Sequence, residues 1–372
     1  MLRSQCDIGD GLLAKAARKH ALAALCLTAV AAATWAGEAS SVPGAGAALP
    51  DTLSQTGLFL PGTLDIAPDL LPFAPQYPLW TDGAAKRRWL YLPPGTSIDA
   101  AEPDAWTFPV GTRLWKEFGY DGPVETRMIE RVADGSWRYA TYIWNENGSD
   151  AELAPAEGVA ALLVSSAPDD RYTIPAQNDC RGCHEAAAQP VLGFSALQLS
   201  PDRDPLAPHA ETPGAAFVNL RILDERGLLR NLPEELLETP PRIEAPSPQA
   251  RAALGYLHGN CGHCHNDNGP VGELDLSLQQ SAAARSASAA RTLETLVGYP
   301  AEVSTKNIDT RVVPGSHESS MLFARMRTRN PLMQMPPLGT RVSDATAVAL
   351  IGSWIEQDIS NSSGTLSRGP NR

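Results

Sequence analysis

The sequence predicts an α+β fold, with a β-rich N-terminal domain leading into a cysteine-containing segment and then an all-α C-terminal domain. Alternating apolar and polar residues with frequent turn signals dominate residues 76–150, and this alternation is typical of strands. Helix-start signals and a helical spacing of apolar residues dominate the last third of the chain. We expect the three parts to be residues 37–175, 176–245 and 246–360, and the first two can also form one unit.

The N-terminus has the layout of a secretory signal peptide. Basic residues at 15, 18 and 19 precede a short apolar run over 21–33, and small residues follow near Ala36. This run is shorter than a membrane span requires. We therefore expect residues 1–36 to be cleaved, which removes Cys6 and Cys26. No later segment is apolar enough to span a bilayer, so we expect a periplasmic or secreted protein.

The charge of the chain excludes some classes of partner. The 372 residues carry a formal net charge of −12 at pH 7, and loss of the basic leader makes the remainder more acidic. Such a protein has no electrostatic attraction to nucleic acid or to an anionic membrane. An acidic surface is compatible with a basic protein partner, but ordinary solubility is the commoner reason for it.

Two features stand out in the β-rich segment. Asp134-Gly135 lies between two alternating runs and predicts a hairpin turn. Six tryptophans occur between Trp80 and Trp144. They can form the core of a β-sandwich or line a ligand pocket, and the first interpretation is the commoner one for such a density.

The motif Cys-x-x-Cys-His occurs twice, in QNDCRGCHEAA (177–187) and HGNCGHCHNDN (258–268), and the two copies hold all cysteines beyond the predicted leader. This motif is the attachment site of a c-type haem. The spacing puts both thiols on one side of a turn, where they can bind two vinyl groups, and the adjoining histidine binds iron. We therefore expect two covalently bound haem c groups. The expected haem-binding residues are Cys180, Cys183, His184, Cys261, Cys264 and His265.

Three other interpretations explain these cysteines less well. A structural zinc site usually pairs its Cys-x-x-Cys units more closely in sequence than these two are. A redox-active dithiol leaves the histidine unexplained in both copies. Structural disulfides rarely close such small loops twice.

The second motif lies between two predicted helices. Ser247-Pro248 predicts the start of a helix that leads directly into the motif, and Ser343-Asp344 opens a last helix. Between them, the stretch MQMPPLGT (333–340) places Met335 on a proline-rich loop. This arrangement predicts a class I cytochrome c-like domain with Met335 as the sixth iron ligand, and such a thioether raises the reduction potential. Met333 is an alternative ligand, and both methionines can instead be core residues. The Ser-rich tail, 361–372, predicts disorder.

The sixth ligand of the first haem is open. Met128 lies in the predicted sheet, His209 follows the first motif, and Lys116 is a more remote candidate. A water molecule or an empty position is a further possibility.

Four stretches of the chain resemble a known family. The stretches YPLWTDGAAKRRWLYLPPGT, FPVGTRLWKEF, VETRMIERVADGSWRYATYIWNENGSDAEL and CRGCHEAAAQPVLGFSALQLSP resemble secreted bacterial dihaem c-type cytochromes. A similar module is fused to soluble quinoprotein sugar dehydrogenases, with a YLHxNCxxCH opening (here 256–265) and an MPPLG loop (here 335–339). The resemblance covers roughly residues 55–358. It implies that the two motifs and Met335 carry the haems, and that this chain lacks the propeller of the fused proteins.

Three functions are consistent with these features. The first is electron transfer, in which the protein accepts electrons from a redox protein partner such as a periplasmic dehydrogenase and passes them to a downstream acceptor. The second is a dihaem peroxidase-like enzyme with an open first haem iron, for which Glu125, Glu130 and His209 are acid–base candidates by composition alone. The third is a binding subunit whose β-rich part docks a partner.

Overall fold

A six-stranded antiparallel sheet is the largest regular element of the computed structural model, which describes residue 44 and residues 46–305 and 307–359. The strands are β1 (Leu71–Pro72), β2 (Ala85–Tyr91), β3 (Ile98–Asp99), β4 (Arg113–Gly119), β5 (Pro123–Arg131), β6 (Trp137–Trp144), β7 (Ala151–Leu153), β8 (Val159–Leu163), β9 (Arg171–Ile174) and β10 (Leu229–Arg230). The large sheet has the order β1-β2-β4-β5-β6-β7, while β8 pairs with β9 and β10 pairs in parallel with β3.

The hairpin predicted at Asp134-Gly135 is confirmed. It joins β5 to β6, which pair antiparallel from Glu125↔Ile143 to Arg131↔Trp137. Gly135 has φ 86°, a left-handed conformation that favours glycine. The Asp134 carboxylate accepts a hydrogen bond from the Ser136 N–H at 2.9 Å, which closes the turn.

The helices are short. They are α1 (Gln177–His184), α2 (Leu220–Glu225), α3 (Glu235–Glu238), α4 (Pro248–Asn260), α5 (Arg285–Leu296), α6 (Met321–Arg327) and α7 (Ala345–Trp354). Both predicted helix starts are confirmed, because the Ser247 hydroxyl accepts from the Ala250 N–H and the Asp344 carboxylate accepts from the Ala347 N–H.

The two faces of the large sheet pack against different parts of the chain. Because side chains alternate along a strand, Trp89, Trp115 and Met128 lie on one face, where they pack with Leu53 and Leu58. The other face looks towards α1. The core interpretation of the tryptophans is therefore confirmed for Trp89 and Trp115, and also for the buried Trp106, which belongs to the main core.

The predicted fold class is wrong, because the structure is not a β-rich domain followed by an all-α domain. One hydrophobic cluster contains Phe73 and Leu90 from the N-terminal part together with Leu254 from α4 and Ile351 and Trp354 from α7. The described residues accordingly belong to one compact unit. The C-terminal part also contains β-bridges, such as Val297↔Val312 and Pro300↔Thr310. Helical spacing in the sequence revealed the helices but not the surface against which they pack.

The predicted segment boundaries at residues 175 and 245 stay predictions. The predicted leader (1–36) and tail (361–372) lie outside the described residues. Within the described ranges, none of the helices combines the length and the apolar character that a membrane crossing requires.

Candidate cofactor sites

The first Cys-x-x-Cys-His motif forms helix α1. The Ala176 N–H donates to the Asp179 carboxylate at 3.0 Å, which caps the start of the helix. Residues three and four apart lie on one helix face, so Cys183 and His184 follow Cys180 on the same side. This side is turned towards the large sheet, where the ring of His184 lies 5.4 Å from that of Tyr139 on β6.

The hydrogen bonding of His184 leaves one ring nitrogen available. Its Nδ1 lies 2.5 Å from the carbonyl oxygen of Pro190, and a carbonyl can only accept, so Nδ1 carries the proton. Burial lowers the pKa of His184 to about 4, so the ring is neutral at pH 7. The unprotonated Nε2 is then free to bind a metal, and the Nδ1 hydrogen bond orients the ring, as is usual for histidine ligands.

The second motif follows helix α4 directly, and Cys261 is the residue at which the helix ends. The N–H groups of Cys264 and His265 both donate to the Cys261 carbonyl, at 3.1 and 2.9 Å. The buried Asn266 side chain closes the turn by donating to the Gly262 carbonyl at 2.8 Å.

His265 has a buried ring nitrogen without a partner. Within the described part of the chain, its Nδ1 makes no hydrogen bond, and burial lowers the pKa of the ring to about 4. A buried polar atom without a partner costs free energy. The neutral imidazole is therefore suited to binding an additional group rather than to packing alone.

The four cysteines of the two motifs form no disulfide with one another. Burial raises the pKa of Cys261 to about 12, so this thiol is protonated at pH 7. No group of three or more described His, Cys, Asp and Glu side chains has an arrangement that holds a metal ion. A structural zinc site needs four such ligands, whereas a haem iron takes only one or two from the protein.

The two motifs meet in space. The thiols of Cys183 and Cys264 lie close enough to shift each other's pKa, which is raised to about 12 for Cys183 and lowered for Cys264. The His263 side chain also acts on the pKa of Cys183. The second cysteine of one motif therefore lies near the second cysteine of the other.

A cavity of about 320 Å³ lies beside the second motif and is mainly apolar. Its wall includes Cys261, Cys264, His265 and Met335. We call residues 333–340 the methionine loop. A backbone hydrogen bond holds this loop at the cavity wall, because the Met335 N–H donates to the Arg325 carbonyl at 3.0 Å. Met333 is not part of this wall. Of the two candidate methionines, Met335 is therefore the one that lies in the same cavity wall as His265.

A second cavity of about 320 Å³ lies beside the first motif and is more polar. It contains the motif's Cys180, Cys183 and His184, and the sheet contributes Arg88, Lys116 and Arg127. We call this the α1 cavity and the other the α4 cavity. Burial and the neighbouring cations lower the pKa of Lys116 well below its usual range.

The structure does not bring the side chain of Met128 or that of His209, two of the sixth-ligand candidates, to His184. Met128 borders the α1 cavity, but its side chain is only 2% exposed and packs with Trp89 and Trp115 on the opposite face of the sheet. His209 instead contacts the Asp344 carboxylate through Nε2, at 2.9 Å. Lys116 is the candidate that lies on the sheet face towards α1, where it lines the same cavity as His184.

Several residues of the sites were missed by sequence reasoning. Trp80, Asn260 and His263 line both cavities. Asn260 positions Trp80, since its side-chain oxygen accepts from the Trp80 N–H at 2.7 Å. The Asp82 carboxylate accepts from the N–H of Arg341 at 2.8 Å and so anchors the end of the methionine loop. The local sequence does not show these contacts, because the partners of Asn260 and Asp82 are distant in sequence.

The residues of both cavities fit a covalently bound haem. Each cavity offers two thiols and a neutral histidine with an available ring nitrogen, and the α4 cavity adds a thioether on a mainly apolar wall. Comparison with known proteins found no matching family model, curated protein or solved structure.

Proposed function

We propose that this protein is a periplasmic or secreted dihaem c-type cytochrome that passes electrons between a dehydrogenase and a downstream acceptor. The cysteines of each motif hold one haem, His184 and His265 bind the irons, and Met335 is the sixth ligand in the α4 cavity. The haem supplies one-electron chemistry through its iron. The protein's own residues attach, orient and shield it.

The proximity of Cys183 to Cys264, whose neighbour His263 lines both cavities, is the observation that carries this proposal. If each thiol holds its own haem, the two groups are attached at adjoining points, and Trp80 and His263 lie between the cavities. Two redox groups held this close are suited to exchanging electrons. A pair of independent binding sites has no need of such an arrangement.

The test starts with the purified exported protein and its haem content, measured by the pyridine haemochrome method. We expect two haems per chain. The double variant Cys180→Ala/Cys183→Ala and its matched counterpart Cys261→Ala/Cys264→Ala should each retain one. A wild-type protein without haem contradicts the proposal. If the haems are close, the paramagnetic resonance signals of the oxidised protein should show coupling that both double variants lose.

A dihaem peroxidase-like enzyme is the second candidate, because neither His209 nor the side chain of Met128 reaches His184. The proposed acid–base groups of such an enzyme, Glu125 and Glu130, are less well supported because both already accept hydrogen bonds from other side chains. The Glu125 carboxylate is fully buried and accepts from the Tyr172 hydroxyl at 2.6 Å, and Glu130 accepts from Arg138 at 2.7 Å. Carbon monoxide distinguishes the two functions. Its binding to a high-spin first iron favours the enzyme, and two low-spin irons that do not bind it favour electron transfer.

A further inference from the structure

Three cations lie side by side across the sheet face that looks towards α1. In the strand register, Arg88 on β2 is opposite Lys116 on β4, and Lys116 is opposite Arg127 on β5. Like charges directly opposite each other in neighbouring strands are destabilising. The row therefore needs compensation by negative charge.

Among the described residues, carboxylates form ion pairs with the two outer members of the row, and Glu211 acts on Lys116 as a nearby charge without an ion pair. Glu211 accepts both of its hydrogen bonds from Arg88 Nη1, at 2.7 and 2.8 Å. Glu125 accepts from Arg127 Nη2 at 2.5 Å. The ammonium group of Lys116 lies over the ring of Phe118, 4.7 Å from its centroid, and an aromatic face is a weaker partner for a cation than a carboxylate is.

Arg88 also has a donor without a partner. Its side chain is 5% exposed, and within the described residues its Nη2 makes no hydrogen bond. A buried donor of this kind is rare and costly unless a bound group satisfies it. Arg88 and Lys116 both line the α1 cavity, as does His184.

Other acidic groups of the cavity wall are already engaged. The Asp104 carboxylate accepts from the Ala282 N–H at 2.7 Å and from the Ser281 hydroxyl. The Asp179 carboxylate accepts from the Ala176 N–H at the start of α1. Within the described part of the chain, neither carboxylate forms a hydrogen bond or an ion pair with Arg88 or Lys116.

We propose that Arg88 and Lys116 form a carboxylate-binding site in the α1 cavity, and that the carboxylate belongs to a propionate group of the first haem. This rests on the proposed function. A guanidinium N–H and an ammonium group that converge on one carboxylate form charge-assisted hydrogen bonds, which are stronger than neutral ones. Haem carries two propionates besides the groups that cysteine and histidine bind, so the cavity that holds it also receives the missing negative charge.

The test is Lys116→Gln, which removes the positive charge and keeps a polar side chain. A cation beside a haem favours the reduced form, so its loss should lower the ratio of reduced to oxidised haem. At a given applied potential, we expect this ratio to fall about tenfold at one haem. Such a fall corresponds to a decrease of about 59 mV in the reduction potential of that haem. The other haem should be unchanged, and Lys116→Arg should restore the wild-type value. Spectroelectrochemistry measures both potentials.

Lys86→Gln is the matched control. Lys86 lies on the same sheet face, but its Nζ donates to the Ala84 carbonyl at 2.9 Å and it is not part of the cavity wall. This variant should change the ratio less than twofold. Arg88→Lys gives independent evidence if Lys116→Gln does not fold, because it keeps a cation for Glu211 and removes Nη2. We expect a shift of the same sign.

The outcomes separate the two proposals. Two haems in Lys116→Gln with unchanged potentials overturn the carboxylate site and leave the electron-transfer function standing. A change from low spin to high spin overturns it too, because Lys116 is then an iron ligand. A potential that responds saturably to added acetate in the wild type, but not in Lys116→Gln, supports the site and identifies a free acid as its ligand. A wild-type protein without haem overturns both.

Discussion

Met335 connects the methionine loop to the α4 cavity through both its side chain and its backbone. Its N–H donates to the Arg325 carbonyl, and its own carbonyl accepts from Arg329 at 3.2 Å. We expect Met335→Ala to lower the potential of one haem and to leave the other nearly unchanged, because a thioether ligand favours ferrous iron. Redox titration followed by absorbance measures both values.

Met333→Ala is the control for this prediction. Met333 lies on the same loop but outside the cavity wall, and its carbonyl accepts from Arg325 Nε at 2.9 Å, a contact that alanine keeps. Its potentials should match those of the wild type. Equal shifts of both haems in Met335→Ala would mean that the residue does not act on one iron.

His258 should make the stability of the protein sensitive to acid. Burial lowers its pKa from 6.5 to about 4, and its Nδ1 accepts from the Gln280 N–H at 3.0 Å, a bond that protonation of Nδ1 breaks. Between these two pH values the unfolded chain binds more protons than the folded one, so the free energy of unfolding falls as the pH decreases. The loss between pH 7 and pH 5 should be about 1–2 kcal/mol.

The variant His258→Gln isolates this effect, because glutamine can still accept a hydrogen bond but does not titrate. Urea unfolding at pH 7 and pH 5 should show a smaller difference in the variant than in the wild type. His184 and His265 also have lowered pKa values, but they do not titrate while bound to iron. An unchanged difference would show that His258 is not the acid-sensitive group.

Helix α4 is held against the N-terminal part of the chain by two glycines. A Cβ atom at Gly255 would collide with the ring of Tyr77, and one at Gly259 would collide with the Tyr77 backbone. Gly255→Ala should therefore lower the free energy of unfolding by about 1–3 kcal/mol, the usual cost of overpacking. Chemical denaturation followed by circular dichroism measures the loss.

Gly122→Ala is the matched control for Gly255→Ala in helix α4. Gly122 lies in the turn between β4 and β5, where an added Cβ meets nothing within 4 Å. We expect its effect on unfolding to stay within about 0.5 kcal/mol, as for most surface substitutions. Similar losses in the two glycine variants would mean that the α4 contact with Tyr77 is not tight.

At the scale of the whole molecule, the shared core predicts cooperative unfolding. Asp82 follows Tyr77 in the chain and accepts from the N–H groups of Arg341 and Val342, so the start and the end of the fold are directly tied. The unfolding transitions seen by far-ultraviolet circular dichroism and by the Soret band should therefore coincide. Asp82→Asn should shift both midpoints together, with a loss of about 1–3 kcal/mol from the broken charge-assisted bonds.

Separate transitions would instead favour two independently stable parts, as the alternation and helical spacing in the sequence first indicated. That expectation failed for a physical reason. An amphipathic pattern shows that a helix or strand has an apolar face, but not which other element covers it. Helix α4 buries Ala250, Ala253 and Leu254 in the same cluster as Phe73, and no periodicity within residues 248–260 indicates that partner.

Local chemistry was predictable. The Asp134-Gly135 hairpin and the helix starts at Ser247 and Asp344 each depend on a few neighbouring residues, so local sequence is enough to predict them. It also determined that each Cys-x-x-Cys-His motif presents two thiols and an imidazole together. The sixth-ligand candidates could not be ranked in this way, because the choice depends on which sheet face each side chain occupies and on contacts with distant residues.

Three features depend on the folded structure: the proximity of Cys183 to Cys264, the position of Lys116 on the sheet face that looks towards His184, and a core cluster that joins the N-terminal part to α4 and α7. These features depend on packing between segments that are far apart in sequence. The free energy of such packing comes from surfaces that exist only after the elements have formed and met, so the order of residues along the chain does not display it.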